Sequence, residues 1–376
     1  SGHSLFMIDE ESRLDADLFF DFIESNRIDV VDCTPSHLKV LLQSSRALSI
    51  LADVKLVLLG GEAVDESLWM QLANIGSTRF INAYGPTETT VNTSMEWITR
   101  ENYPPSVGLP LPGVIMQVMD EKMNPQPAGV VGELLIGGRG VSRGYLNRNE
   151  LTSTLFVEKQ VDAESIRFYR SGDIVRQRGD GKFTFLGRAD DQVKIRGLRI
   201  ELGEIEKTLK NQPEVNEAVV IAYDAPSGDK QLAAYIVTDC STISPEELAS
   251  ALSKNLPPYM VPSSYMFLDE MPLTGNNKID RKALPEPLVV ERDSSEMVLP
   301  RTPLEIEIAD IWSDVLGVSA ISIDDNFFDL GGHSLLATQV ISRVREKLGY
   351  AVPLALLFEA TSLEELVQLI ESHQLE

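Results

Sequence analysis

The order of apolar and polar positions changes character twice along this chain. Early on, short apolar runs are bounded by turn residues: "VKLVLLGG" at 54–61, "RFINAYG" at 79–85 and "GELLIGG" at 132–138. Runs of that length predict buried strands. Between the first two, "DESLWMQLANIG" has helical spacing, so strand and helix alternate as an α/β layer arrangement requires. From residue 201 a helix, "ELGEIEKTLKNQ", is followed by strands "EAVVIAYD" and "LAAYIVTD" and a helix, "SPEELASALSKNL". In that helix Ser244 and Glu247 make a capping box and Pro245 takes the first helical position. This predicts a compact α+β unit ending near 285.

The stretch "LPEPLVVERDSSEMVLPRTP" mixes prolines, charges and serines and reads as a linker. Beyond it the pattern is all helical. "TPLEIEIADIWSDVLG" opens with Thr302 as a cap, Pro303 and then Glu305, and repeats apolar residues at Leu304, Ile308, Ile311, Trp312 and Val315. "SLLATQVISRVREKLG" does the same with Leu336, Val340, Val344 and Leu348, and stops at Gly349. With "SLEELVQLIESH" as a last amphipathic helix, these segments predict a small bundle. There is no internal repeat and no low-complexity tract.

Composition narrows the functions open to such a chain. Its 376 residues suit two or three domains. Fifty-seven acidic residues against 33 basic ones give a formal charge of −24, which repels phosphate backbones and anionic lipid. Nucleic acid and membrane are therefore not expected partners. No apolar run has the length to span a bilayer, and the N-terminus lacks a basic start followed by an apolar stretch. Cys33 and Cys240 lack metal-ligand spacing, so a reducing cytoplasmic setting fits. The start "SGHSLF" has no methionine, which reads as a fragment or a trimmed chain.

Three stretches carry candidate chemistry. In "NAYGPTETTVN" at 82–92, hydroxyls and a carboxylate follow a strand, an arrangement that can grip a phosphate and its magnesium. The plainer reading is a turn and a helix capped by Thr87. In "YRSGDIVRQRGDGKFTFLGRADDQVKIRGLRIELGEIE" at 169–206, "SGD" exposes Asp173 after a turn, where its carboxylate suits a ribose diol. In "DNFFDLGGHSLLATQV" at 325–340, Ser334 opens a helix. It is not read as a hydrolase nucleophile, because Leu336 replaces the second glycine of G-x-S-x-G and His333 is only a sequence neighbour. A helix cap and an attachment site remain, and they are compatible, since a phosphodiester at a helix start meets free N–H groups and the positive dipole end.

Asp173, Phe185, Arg188, Asp190 and Lys194 in that order, with "NAYGPTETT", "GELLIGGRGVSRGYLNR" and "PLTGNNKIDRKAL", resemble the adenylation domains of nonribosomal peptide synthetases. That superfamily also holds acyl-CoA synthetases and luciferases. The tail "DNFFDLGGHSLLA" resembles their peptidyl carrier domain. The resemblance implies a multidomain fold. An α/β part of the adenylation large subdomain spans 1–188 and a small mobile α+β subdomain spans 189–285. A linker at 286–301 precedes an all-α four-helix-bundle carrier at 302–376. "LPEP" at 284–287 would dock the linker on the adenylation domain.

The implied activity is activation of an amino acid as aminoacyl-AMP with ATP and Mg²⁺, followed by loading as a thioester on 4′-phosphopantetheine at Ser334. By resemblance, Asn82 and Tyr84 lie at the adenine, Thr87 at the phosphate, and Glu88 at the magnesium as the metal ligand. Asp173 and Arg188 match ribose contacts and Phe185 an aromatic beside the base. Lys278, in "TGNNKID", matches the lysine that reaches the substrate carboxylate and ATP. Asp190 matches a hinge, with Lys194 and Gly197 on the thioester-forming face. Asp32, Leu58, Gly60, Ala83, Val91 and Asn92 would line the side-chain pocket. Asp32 and Asn92 hint at a polar, amide or cationic substrate, because a buried carboxylate is costly unless paired.

One departure concerns the front. The family's Ser/Thr/Gly-rich phosphate loop, ending near a lysine, does not occur in these residues, so the fragment is expected to be weak or inactive in adenylation alone. Expected partners are the amino acid, a phosphopantetheinyl transferase, and condensation or thioesterase domains of the same assembly line. One alternative is a carrier or tethering module loaded by other enzymes. Another is a ligase acting on free CoA, against which the fused carrier argues.

Overall fold

A computed structural model describes residues 2–374 apart from 162–163, 191, 226–229, 240–242, 275–278, 288–296, 319, 329, 333 and 351. Lys278, Asp329, His333 and Cys240 thus lie outside the described residues, as does the side chain of Ser334. The chain divides into two compact units, one of residues 23–199 and the other of residues 1–22 with 200–376.

The unit of residues 23–199 is built on two sheets. The first contains β1 (Val30–Cys33), β2 (Leu56–Leu59), β3 (Arg79–Tyr84), β4 (Ser94–Trp97) and β5 (Leu109–Pro110), in that order. The pairings β1–β2 and β2–β3 are parallel, with helices in the crossovers, and β3–β4 is antiparallel. Helix Pro35–Leu41 starts there because Thr34 accepts a hydrogen bond from the His37 N–H and proline sits in the first turn. Helix Glu66–Ala73 is capped by Asp65, which accepts from Leu68 N at 2.8 Å. Its Leu68, Trp69 and Leu72 are buried, as the spacing in "DESLWMQLANIG" predicts.

The second sheet is antiparallel. It contains β6 (Val114–Met119), β7 (Val131–Gly138), β8 (Phe156–Val161), β9 (Glu164–Gln177) and β10 (Phe183–Arg188), ordered β10-β9-β7-β6 with β8 also paired to β9. Tyr84 at the end of β3 packs with Val107, Leu134, Ile136, Val175 and Phe183, so one core joins the two sheets. A hairpin of β11 (Gln192–Ile195) and β12 (Leu198–Glu201) follows.

β9 corrects one expectation. Asp173 is not exposed after a turn but buried inside this 14-residue strand, at 3% exposure. The turn-like "SGD" is a strand irregularity: the register against β7 shifts between Glu133 and Leu135, and Gly172 takes φ +73. A Cβ on Gly172 would meet Arg188 Nη2 at 2.6 Å, so glycine is needed there both for its backbone and for its missing side chain.

The other unit contains the α+β segment and the helical tail. β13 (Glu217–Asp224) and β14 (Lys230–Val237) are antiparallel, and β15 (Ser264–Leu268) joins β14 in parallel. Helices Leu202–Lys210 and Pro245–Ser253 accompany them, the second with the full Ser244–Glu247 capping box. Leu284 is buried with Val219, Ala233, Tyr235 and Met271, and the Tyr235 hydroxyl donates to Pro285 O at 2.6 Å. The "LPEP" stretch therefore rests on this sheet.

Among the described residues, the tail forms four helices: Pro303–Leu316, Ser334–Leu348, Ala355–Glu359 and Leu363–Gln374. The first carries the Thr302–Glu305 capping box and ends on Gly317 in the left-handed conformation. Trp312, Phe327, Leu336, Val340, Val344, Val352 and Leu366 fill the core between them. Each large apolar side chain so buried contributes about 1.5–3 kcal/mol relative to exposure. Among the described residues, no helix is long and apolar enough to cross a membrane.

Candidate active site

The end of β3 meets the middle of β9. The Tyr84 hydroxyl donates to Asp173 Oδ2, and Arg188 Nη1 donates to Asp173 Oδ1 at 2.6 Å. Arg188 then turns its remaining donors on Asp190, Nε to Oδ1 at 2.6 Å and Nη2 to Oδ2 at 2.7 Å. Such a fork is the geometry for which guanidinium is shaped. Asp173 lies at 3% exposure, so Arg188 supplies the countercharge without which a buried carboxylate would be costly. Burial, with the Asp173 charge, raises the Tyr84 pKa well above the ordinary phenol value. The phenol therefore stays a donor. Each Asp173 oxygen keeps lone-pair capacity for a further hydrogen-bond donor.

Other residues assigned by resemblance surround this pair. Phe185 packs against the cluster that holds Tyr84. Asn82 is buried and its Nδ2 donates to Ser106 O at 2.7 Å. Lys194 Nζ lies 6.0 Å from the Tyr84 ring centroid. Burial depresses the Lys194 pKa, although the Asp173 charge opposes this. Thr87 is exposed and begins a single 3₁₀ turn, Thr87–Thr89, whose N-cap is Pro86, so Thr87 does not cap an α-helix.

Glu88 is engaged more heavily than its sequence context suggests. Arg199 Nη1 donates to Glu88 Oε1 and Oε2, both at 3.0 Å, and the Tyr145 hydroxyl donates to Oε1 at 2.6 Å. Burial opposes ionisation, but the Tyr145 hydrogen bond and the Arg199 charge outweigh it and hold the Glu88 carboxyl below its usual range. Arg199 is oriented in turn by Gln192 Oε1 at 2.7 Å and the Tyr169 hydroxyl at 3.3 Å. A second carboxylate holds the same hairpin. Glu62 Oε1 accepts from Gly197 N at 2.5 Å, while its Oε2 accepts from Ser36 N at 3.0 Å and Ser36 Oγ at 2.5 Å.

The pocket candidates are brought together in two pairs. Asp32 and Leu58 are register partners on β1 and β2, and Gly60 faces Ala83, whose carbonyl oxygen lies 3.5 Å from where a Gly60 Cβ would be. Asp32 is exposed as a residue, and desolvation raises its carboxyl pKa. Val91 and Asn92 are exposed, with Val91 at φ +67. Ser334 is the first residue of its helix, at the positive end of the helix dipole.

Glu62, Tyr145, Tyr169 and Arg199 escaped the sequence reading. The signals were thin: an acid after a strand-ending glycine pair, the tyrosine of "SRGYLNR", and alternating charge in "GLRIE".

Residues 1–146 match the family described as AMP-binding enzyme, residues 204–278 its C-terminal domain, and residues 307–370 the phosphopantetheine attachment site. AMP-binding enzymes use ATP and Mg²⁺, and the phosphopantetheine attachment domain carries 4′-phosphopantetheine. The chain is 44% identical over 375 residues to a linear gramicidin synthase of Brevibacillus parabrevis, covering 98% of this chain and 7% of that protein. It is 41% identical to the dimodular nonribosomal peptide synthase of Bacillus subtilis (strain 168), covering 96% of this chain and 15% of that protein. It thus spans only a small part of these relatives' length. A solved structure of a holo nonribosomal peptide synthetase protein with adenylation and carrier domains, bound to a vinylsulfonamide inhibitor, superposes with a TM-score of 0.77 at 26% identity. The match covers 95% of this chain and 60% of that one. The chain belongs to the nonribosomal peptide synthetases, as an adenylation domain of the AMP-binding enzymes followed by a carrier domain.

Proposed function

We propose that this chain takes part in activating an amino acid as aminoacyl-AMP and in passing the acyl group to a phosphopantetheine arm on Ser334. The observation that carries the reading is the buried Asp173, held by Tyr84 and Arg188 with lone pairs left for a ribose diol. Phe185 would lie beside the base and Asn82 at its edge. Lys278 would bring an ammonium to the substrate carboxylate and α-phosphate, where negative charge develops as pyrophosphate departs. Thr87 would donate to phosphate.

Asp190 acts in this reading as the hinge, because its bidentate hold on Arg188 ties the start of the β11–β12 hairpin to the ribose aspartate. Lys194 and Gly197 would then face the site during transfer. When bound, phosphopantetheine supplies the thiol that accepts the acyl group. The helix that begins at Ser334 orients its phosphodiester through backbone N–H groups. Asp32, Leu58, Gly60, Ala83, Val91 and Asn92 would set substrate choice, with Asp32 favouring a polar or cationic side chain.

No Ser/Thr/Gly-rich phosphate loop occurs in the 376 residues, so adenylation by this chain alone is expected to be weak. The test uses the 376-residue chain with a phosphopantetheinyl transferase and CoA, read by intact mass. One pantetheine should be added to the wild type and none to Ser334→Ala. ATP and a panel of amino acids are then supplied with and without a separate adenylating enzyme. Loading that occurs only with the added enzyme supports the tethering reading, and brisk self-loading removes the expectation of weakness. A wild-type chain that takes up no pantetheine overturns the carrier assignment.

A further inference from the structure

Glu88 is the residue assigned to magnesium, yet its carboxylate is already paired with the Arg199 charge and hydrogen-bonded by Tyr145. Both oxygens are taken by one guanidinium nitrogen, and the pair is mostly withdrawn from solvent, with side-chain exposures of 29% and 10%. Magnesium requires oxygen ligands at about 2.0–2.1 Å in near-octahedral geometry. A metal at that distance from either oxygen would crowd the Arg199 nitrogen 3.0 Å from both and place a second cation beside it. In this arrangement the residues do not fit the metal.

Arg199 is moreover the last residue of its compact unit and lies on the hairpin that follows Asp190. That hairpin is pinned at a second point by Glu62, whose carboxylate takes the Gly197 N–H. Gly197 sits at φ +76, and a Cβ there would come within 2.7 Å of Thr34 Cγ2, so the seat is cut for glycine.

We propose that Arg199 and a nucleotide-bound divalent cation compete for the Glu88 carboxylate. The seated hairpin and the metal-bound nucleotide then exclude each other. Glu62 is a positioning residue that holds the Gly197 turn in the Arg199-bound arrangement. The inference rests on the proposed nucleotide site, and it adds that the exchange of one cation for another couples the metal to the hairpin.

The test uses the 376-residue chain, Mn²⁺ as the probe and α,β-methylene-ATP as the nucleotide, with bound Mn²⁺ measured by electron paramagnetic resonance. Arg199→Gln should bind Mn²⁺ roughly five- to tenfold more tightly than wild type, as removal of a partly buried competing charge predicts. Arg199→Lys, which keeps a cation, should fall between them. Glu88→Gln should bind more weakly, and adding Arg199→Gln to it should change nothing further. In the unsubstituted chain, Mn²⁺ with the nucleotide should speed hydrogen exchange of the Gly197 amide, and Glu62→Gln should speed it without either.

If Glu88→Gln binds Mn²⁺ as wild type does, Glu88 is no metal ligand and the competition falls; if neither the wild type nor any variant binds Mn²⁺ with the nucleotide, the nucleotide-site reading itself falls. If Glu88→Gln weakens binding but Arg199→Gln equals or weakens the wild type, only the competition falls. Unchanged Gly197 exchange on adding Mn²⁺ and nucleotide likewise overturns the competition.

Discussion

Tyr84 closes β3 by donating a hydrogen bond from its hydroxyl to Asp173, 89 residues further along the chain. Arg188 holds the other Asp173 oxygen, so the buried carboxylate is fixed by one neutral and one charged donor. Removing the charged one is predicted to be costly. Arg188→Ala should destabilise the unit of residues 23–199 by about 3 kcal/mol, because it leaves an uncompensated buried charge. Arg188→Lys should recover only part of this, since a point charge cannot fork between Asp173 and Asp190. Urea unfolding followed by tryptophan fluorescence checks both.

A pH dependence follows from Glu88 and Asp190. Burial opposes ionisation of each, but the Tyr145 hydrogen bond and Arg199 charge at Glu88, and the Arg188 hydrogen bond and charge at Asp190, hold both carboxyls below their usual range. A depressed folded pKa contributes stability that is present above the unfolded value and is lost as pH falls through the folded one. Thermal stability should therefore be flat near neutrality and decline below about pH 4. Glu88→Gln should lower the plateau and make the acid limb shallower.

Burial pushes the Cys33 thiol up to about 12, and the adjacent Asp32 carboxylate adds to the effect. Only the thiolate is nucleophilic, so iodoacetamide at pH 8 should label Cys33 more than roughly a hundredfold more slowly than a free thiol. Asp32→Asn should speed labelling only modestly, since burial is the larger cause. Mass spectrometry of the peptide containing Cys33 measures the rate.

In the helical tail, Trp312 is 1% exposed and meets Phe327 edge-on, with ring centroids 5.2 Å apart. Trp312→Ala should cost about 3–5 kcal/mol through the cavity it leaves. Trp312→Phe should cost clearly less, because the indole N–H has no hydrogen-bond partner among the described residues to lose. Circular-dichroism melts, together with pantetheine uptake at Ser334, compare the two.

Much of the fold was legible because local chemistry and tertiary packing agree. The Ser244–Glu247 and Thr302–Glu305 boxes are both formed, and "EAVVIAYD" is β13 from its first residue to its last. The place of Asp173 is not legible in the sequence, because a glycine at positive φ looks the same there whether it makes a turn or a bulge inside a strand. The Glu62–Gly197 and Glu88–Arg199 links were invisible for another reason. They join residues 135 and 111 positions apart, and no local period reports such a meeting.

The core around Trp312 and Phe327 is composed of residues between 308 and 370, and Leu14 only flanks it. A bundle with its own interior needs little from its neighbours to keep its shape. Residues 297–374, which keep the hydrogen bonds of Val298 to Ser322 and Ile323, should then fold when grafted onto an unrelated protein, as a transplantable part.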